Sequence, residues 1–239
     1  MTDFVLVPGM WLGGWAWDAV AAPLRSAGHS VTAVSLDLAA TATLDSHTEQ
    51  IAAAVWSSAA LSSAAPVVLV AHSYGGFPAR AAVERLGSRV SRVVYVESGP
   101  MPDGSVQADF QGPEARALAE KTVVDGLLPP PSFDPADDPA LFAGLSETAP
   151  HIRAHAVPHP WSTATAALRV RSLEQPPTDL VCSTFPEEAV HEMIAAGHPY
   201  FAGLDRRDYR IHALPTGHWP MFSRPADLAA LLDEIATPR

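Results

Sequence analysis

Apolar positions along the chain follow two periods. Short apolar runs with little polar alternation recur at residues 4–7, 67–70 and 92–97, and their Val-rich make-up suits strands of a parallel sheet covered on both faces. Between them, apolar residues return every three or four positions. Trp17, Val20, Ala21 and Leu24 share one helical face that ends at Ala27-Gly28, where Gly28 suits a left-handed C-cap. Ser46-x-x-Glu49 resembles a capping box opening an Ala-rich helix through about residue 60. Further helices are predicted from just after Ser73 to about 86 (stopped by Gly87), from Glu187 to about 196 (stopped by Gly197) and over 225–235. Strands are predicted at 30–36, 179–184 and 209–214. This alternation predicts an α/β fold with a mostly parallel central sheet flanked by helices.

Residues 101–177 break the rhythm. They carry Pro129-Pro-Pro131, an Asp/Pro-rich stretch at 134–139 and short helical patterns without a convincing strand. The expected organisation is one domain: a core of residues 1–100 and 178–239, with 101–177 inserted as a helical cap over the sheet edge.

Composition narrows the function. The 239 residues are 48% hydrophobic and 17% charged, which suits one globular domain. The net charge of −11 argues against nucleic acid and anionic membrane surfaces as partners. No apolar run reaches a spanning length, and the start of the chain enters a strand with no signal-peptide pattern, so a cytoplasmic protein is expected. Cys182 is the only cysteine, so no internal disulfide can form.

The candidate chemistry centres on Ala71-His-Ser-Tyr-Gly-Gly76. Small-x-Ser-x-Gly between a strand and a helix is the nucleophile-elbow pattern, which lifts Ser73 above the sheet in a strained turn. The same pattern also suits a plain loop serine. The glycine-rich loop after residues 4–7 is Trp-rich and lacks phosphate-binding motifs, so no nucleotide cofactor is expected. His151, His155 and His159 are spaced four apart, but Pro158 and Pro160 interrupt the helix and nothing completes a ligand set; a polar cap surface is expected, with no metal. Asp134, Asp137 and Asp138 do not match a calcium loop and are expected to be solvated.

The chain resembles the α/β-hydrolase superfamily, in particular the cap-bearing branch of plant methylesterases and hydroxynitrile lyases and their bacterial relatives. The resembling segments are Val5-Leu-Val-Pro-Gly-Met-Trp-Leu-Gly-Gly-Trp-Ala-Trp17, Ala71-His-Ser-Tyr-Gly-Gly76, Met101-Pro-Asp103 and Gly217-His-Trp-Pro-Met-Phe-Ser-Arg-Pro225, in the family's order. The resemblance implies Ser73 as nucleophile, His218 as general base, and the backbone N–H groups of Met10 and Tyr74 as the oxyanion hole. The family usually has His-Gly where this chain has Pro8-Gly9. His72 adjoins the serine, but neighbours on a strand end point opposite ways, which disfavours it as the base.

The acid departs from the family pattern. Its usual place follows the strand after the cap, and here that turn reads Ser183-Thr-Phe-Pro186 with no carboxylate. Glu187 and Glu188 come two or three residues late and suit a helix's first turn. Glu97 closes an apolar strand, and in a parallel sheet the carboxyl ends share one edge. Glu97 is therefore the expected acid, with Glu187 or Glu188 as the alternatives.

These residues imply a serine hydrolase acting through an acyl-enzyme on a carboxylic ester, lactone or thioester of a small, largely apolar molecule. Trp11, Tyr74, Trp219, Trp161 and Phe133 are expected to line the pocket. Hydroxynitrile lyases of this branch carry a threonine at the oxyanion position and a lysine after the histidine; here those positions are Met10 and Trp219. A cyclase or isomerase on the same scaffold, or a non-catalytic receptor, are the other readings, since fold alone does not fix function. A homodimer is left open.

Overall fold

The computed structural model describes residues 1–61, 66–172, 174–201, 204 and 209–237. Its core is a six-stranded sheet built from β1 (Asp3–Val7), β2 (Ser30–Ala33), β3 (Val67–His72), β4 (Val90–Val96), β7 (Thr178–Cys182) and β8 (Tyr209–Ala213). The order is β2-β1-β3-β4-β7-β8, and every pairing is parallel. The helices are α1 (Asp18–Ser26), α2 (Leu44–Leu61), α3 (Gly76–Leu86), α4 (Pro113–Thr122), α5 (Ala149–His155), α6 (Trp161–Thr165), α7 (Glu187–Ala195), α8 (Pro220–Ser223) and α9 (Pro225–Ala236).

The unbroken apolar runs have a simple cause. On β3, Val67, Leu69 and Ala71 face one core cluster, while Val68 and Val70 face the other. On β4, Val93 and Tyr95 join the first, and Val94 and Val96 the second. Alternate side chains point to opposite faces, and both faces are covered, so neither face can be polar. The first cluster lies under α2 and α3, which pack together; the second lies under α1 and α9. Gly28, just past the end of α1, has φ +93°, and Gly197, past the end of α7, has φ +70°, both in the left-handed region expected of them.

The chain order along the sheet reverses at β1. From there β2 lies on one side and β3 begins the march to the other. Ligands bind beyond the carboxyl ends of strands at such a switch point. Here the loops after β1 and after β3 meet there.

Several local expectations need correction. Helix α2 begins earlier than residue 46. Its reciprocal cap joins Thr43 and Ser46: Ser46 N–H donates to Thr43 Oγ1 at 3.0 Å and Thr43 N–H donates to Ser46 Oγ at 2.9 Å. Ser46 thus occupies the third position of the box, and Glu49 is free to pair with Arg85. The second strand stops at Ala33 rather than running to Leu36. The predicted strand at 179–184 runs over Thr178–Cys182, so Ser183 and Thr184 belong to the turn. Within 101–177, where no strand was expected, β5 (Leu127–Leu128) and β6 (His159–Pro160) form a two-residue antiparallel ladder. Among the described residues, no helix is long and apolar enough to cross a membrane.

Candidate active site

Three side chains meet at the carboxyl edge of the sheet. Ser73 follows β3, Glu97 follows β4, and His218 lies in the loop after β8. His218 Nε2 is 2.9 Å from Ser73 Oγ, and His218 Nδ1 is 3.2 Å from Glu97 Oε2. An ionised carboxylate can only accept, so His218 carries its proton on Nδ1 and its Nε2 lone pair accepts from the Ser73 hydroxyl.

The elbow is held by tight packing. Ser73 has φ +50°, in the left-handed region that costs a non-glycine residue about 1–2 kcal/mol. A Cβ on Gly75 would lie 2.5 Å from Pro8 O, and one on Gly76 would lie 2.1 Å from Ser98 Oγ. Glycine is required at both positions by close approach. Ser98 uses the space left by Gly76 to donate its hydroxyl to Ser73 O at 2.8 Å. A Cβ on Gly9 would lie 3.1 Å from Ser73 Cβ, so the loop bearing Met10 is pressed against the turn bearing Ser73.

Glu97 is the best-supported carboxylate near His218. Its side chain is 4% exposed and its backbone also turns left-handed, at φ +49°. The register of β3 with β4 ends at His72↔Val96, so Ser73 and Glu97 are the next residues on adjacent strands. Oε1 accepts from the Ser183 and Thr184 amides, the latter at 3.1 Å, and Oε2 accepts from Thr184 Oγ1 at 2.6 Å. Tyr200 Oη donates to the Glu97 carbonyl at 3.0 Å. Burial pushes the Glu97 carboxyl upward, but His218 and the Thr184 and Ser183 donors outweigh it and hold it below the ordinary carboxylate range. Glu187 and Glu188 are exposed in the first turn of α7, and Glu187 is 3.5 Å from His191, a residue of its own helix. Asp179 is fully buried and engaged by Arg92, Arg210 and His212.

Thr184 joins the site without having been expected there. The hydroxyl three residues before Glu187, in the turn after β7, was the available signal. The buried polar cluster around the Tyr74 side chain was not expected either. His47 Nε2 must donate to the Asp37 carbonyl, 2.6 Å away, so its Nδ1 accepts from Tyr74 Oη at 2.8 Å. The His159 ring stands edge-on to Tyr74 at 4.6 Å, and Thr163 Oγ1 lies 2.9 Å from His159 Nε2. His159 is therefore not on a polar cap surface as expected; it is fully buried, and burial lowers its pKa to about 3. His151 and His155 remain on α5, their rings packed against Trp15. Among the described residues, no group of three or more His, Cys, Asp or Glu side chains is disposed to hold a metal.

Four aromatic residues form a connected set. Trp11 meets Phe133 edge-on at 6.4 Å, Phe133 meets Trp219 at 5.1 Å, and Trp219 stacks on Phe142 at 5.3 Å. Phe133 and Trp219 are buried, and Trp11 and Trp161 are partly exposed. Trp11 Nε1 donates to Leu128 O at 3.1 Å, and Trp11 O accepts from Val157 N–H at 3.0 Å, tying the Met10 loop to the chain between β4 and β7.

A family model described as the alpha/beta hydrolase family matches residues 4–231. Methyl jasmonate esterase 1 of Vitis vinifera is 31% identical, over 97% of this chain and 95% of its own length. Methylesterase 7 of Arabidopsis thaliana is 30% identical, over 98% and 95% respectively. Among solved structures, an extracellular alpha/beta-hydrolase from a Paenibacillus species, described as sharing structural and functional homology with tobacco salicylic acid binding protein 2, superposes with a TM-score of 0.74 at 21% identity, covering 98% of both chains. With a parallel sheet, a serine at the strand–helix corner and full-length relatives of this kind, the chain belongs to the α/β-hydrolase family.

Proposed function

We propose that this protein is a serine esterase that cleaves small, largely apolar carboxylic esters, methyl esters foremost, through an acyl-enzyme on Ser73. The observation carrying this reading is the Ser73–His218–Glu97 chain of hydrogen bonds at 2.9 and 3.2 Å on the carboxyl edge of the sheet. The names of the full-length relatives, methyl jasmonate esterase and methylesterase, support ester chemistry and suggest the leaving alcohol.

Serine is a weak nucleophile until a base removes its proton. His218 Nε2 takes the Ser73 proton as Oγ attacks the ester carbonyl. The Met10 and Tyr74 amides stabilise the resulting oxyanion. Glu97 offsets the charge on the imidazolium and fixes its tautomer without taking its proton. His218 then returns the proton to the departing alkoxide, and the acyl group stays on Ser73. A water molecule deprotonated by the same nitrogen attacks the acyl-enzyme, the acid leaves, and Ser73 regains its proton. Trp11, Trp161, Phe133 and Trp219 provide an apolar surround in which these interactions strengthen.

The test is a panel of methyl and short p-nitrophenyl esters, run beside labelling by a fluorophosphonate. The expected result is turnover with a covalent adduct on Ser73, both lost in Ser73→Ala. Equal inactivity of wild type and Ser73→Ala across the panel, with no adduct, would remove the esterase reading.

A further inference from the structure

His72 is fully buried beside the nucleophile, yet the mechanism above does not use it. Its ring touches three parts of the site. His72 Nε2 lies 2.8 Å from the His218 carbonyl oxygen, and a carbonyl can only accept, so Nε2 carries the proton and donates it there. The His72 and His218 rings lie 5.0 Å apart, inclined at 52°. On the other side, a Cβ on Gly9 would come 2.7 Å from His72 Nδ1, so the ring also rests against the loop bearing Met10.

His218 needs this support because its loop is irregular. The next residue, Trp219, has φ −118° and ψ 68°, outside helix and strand. The His218 N–H donates to Leu141 O at 2.9 Å, and its carbonyl takes the His72 proton. With both main-chain groups held, only the two side-chain torsions remain, and Ser73 and Glu97 set those.

We propose that His72 is a positioning residue for His218, its Nε2–H···O bond fixing the main chain from which the imidazole reaches Ser73. This rests on His218 being the base of the proposed esterase. Burial and the neighbouring His218 hold the His72 pKa down at about 3, so it stays neutral and keeps donating while His218 is cationic. His72 does not relay protons itself: its one N–H is engaged by a carbonyl, and its Nδ1 is buried with no hydrogen-bond partner among the described residues. A core-filling ring could be replaced by phenylalanine; a donor to a carbonyl could not.

The experiment compares His72→Phe, His72→Gln and His72→Asn with wild type on one short p-nitrophenyl ester, measuring kcat, KM and the rate of Ser73 labelling by a fluorophosphonate. Gln places an amide N–H near the position of the imidazole Nε2, whereas Asn reaches only to Nδ1. A displaced catalytic group costs on the order of 100-fold. The expected result is a kcat 10- to 100-fold lower in His72→Phe and His72→Asn at nearly unchanged KM, a parallel fall in labelling rate, and substantial recovery in His72→Gln. Wild-type kcat in His72→Phe overturns the proposal, as does an equal loss in folded His72→Gln and His72→Asn. Should His72→Phe fail to fold, the Gln–Asn comparison decides alone. A wild type that neither turns over ester nor takes the label overturns the esterase reading first, and this proposal with it.

Discussion

Glu97 Oε2 accepts a 2.6 Å hydrogen bond from Thr184 Oγ1, across the join between β4 and β7. The turn after β7 thus supplies donors to a carboxylate at the end of the neighbouring strand. The same oxygen faces His218 Nδ1 at 3.2 Å, so the histidine and Thr184 share one acceptor.

Replacing Glu97 by Gln keeps the shape but removes the charge and permits the wrong imidazole tautomer. We expect kcat to fall by about 100-fold or more, as removal of a triad acid does elsewhere. Glu187→Gln, at a side chain 48% exposed on α7, is expected to retain nearly wild-type kcat. Steady-state kinetics on one ester with both variants checks this, and a reversed order of effects would relocate the acid.

Thr184→Val removes the hydroxyl donor while keeping the Thr184 amide on Oε1. A hydrogen bond to a charged group contributes about 1.5–3 kcal/mol. Thr184 is exposed, so water can replace part of it. We expect kcat to drop by up to about tenfold, with Thr184→Ser close to wild type. Indistinguishable kinetics in all three proteins would mean the backbone donors suffice.

Gly75→Ala should be disruptive out of proportion to one methyl group. Its Cβ would sit 2.5 Å from Pro8 O and 3.0 Å from Val7 Cγ1, so the loop bearing Met10 must move. Overpacking of this kind costs about 1–3 kcal/mol, and it also displaces the Met10 loop that we propose to bear an oxyanion donor. The expected outcome is a lower unfolding midpoint in urea and a kcat loss larger than the stability change implies.

Acid should weaken the fold before it reaches ordinary carboxylates. Burial holds His72 and His159 at a pKa of about 3 and lowers His47, whereas the unfolded chain protonates histidine near 6.5. Between those values the unfolded state binds more protons, so stability is full above about pH 6.5 and falls as pH drops, by up to about 1.4 kcal/mol per pH unit for each histidine. Glu97, held below its ordinary value, adds to the loss only at lower pH, as its carboxylate is protonated. Urea unfolding at several pH values from 7.5 to 4.5 measures this; a flat profile from pH 7 to 5 would contradict neutral, buried histidines.

Strands 4–7 and 67–72 were legible because both faces of the sheet are covered, leaving unbroken apolar runs in the sequence. Glu97 was legible for a related reason: a carboxylate closing such a run must lie near the interior, and there it needs a partner. Thr43 was not, because Ser46-x-x-Glu49 and Thr43-x-x-Ser46 offer overlapping boxes, and only the entry path of the chain selects between them. His159 was misjudged, and the contact of His72 with His218 left no signal, because local alternation and nearby prolines say nothing of contacts made about 85 and 146 residues away in the chain, by His159 with Tyr74 and by His72 with His218. The β5–β6 ladder is too short to leave a pattern.

The matching register of Ser73 and Glu97 at the ends of adjacent strands has a consequence for the turn at 183–186. With Ser73 and Glu97 both anchored to the sheet framework, residues 183–186 need to present only two amides and a hydroxyl. Phe185 and Pro186 are exposed beyond these donors, so exchanging their side chains should leave the hydrogen bonds to the Glu97 carboxylate in place.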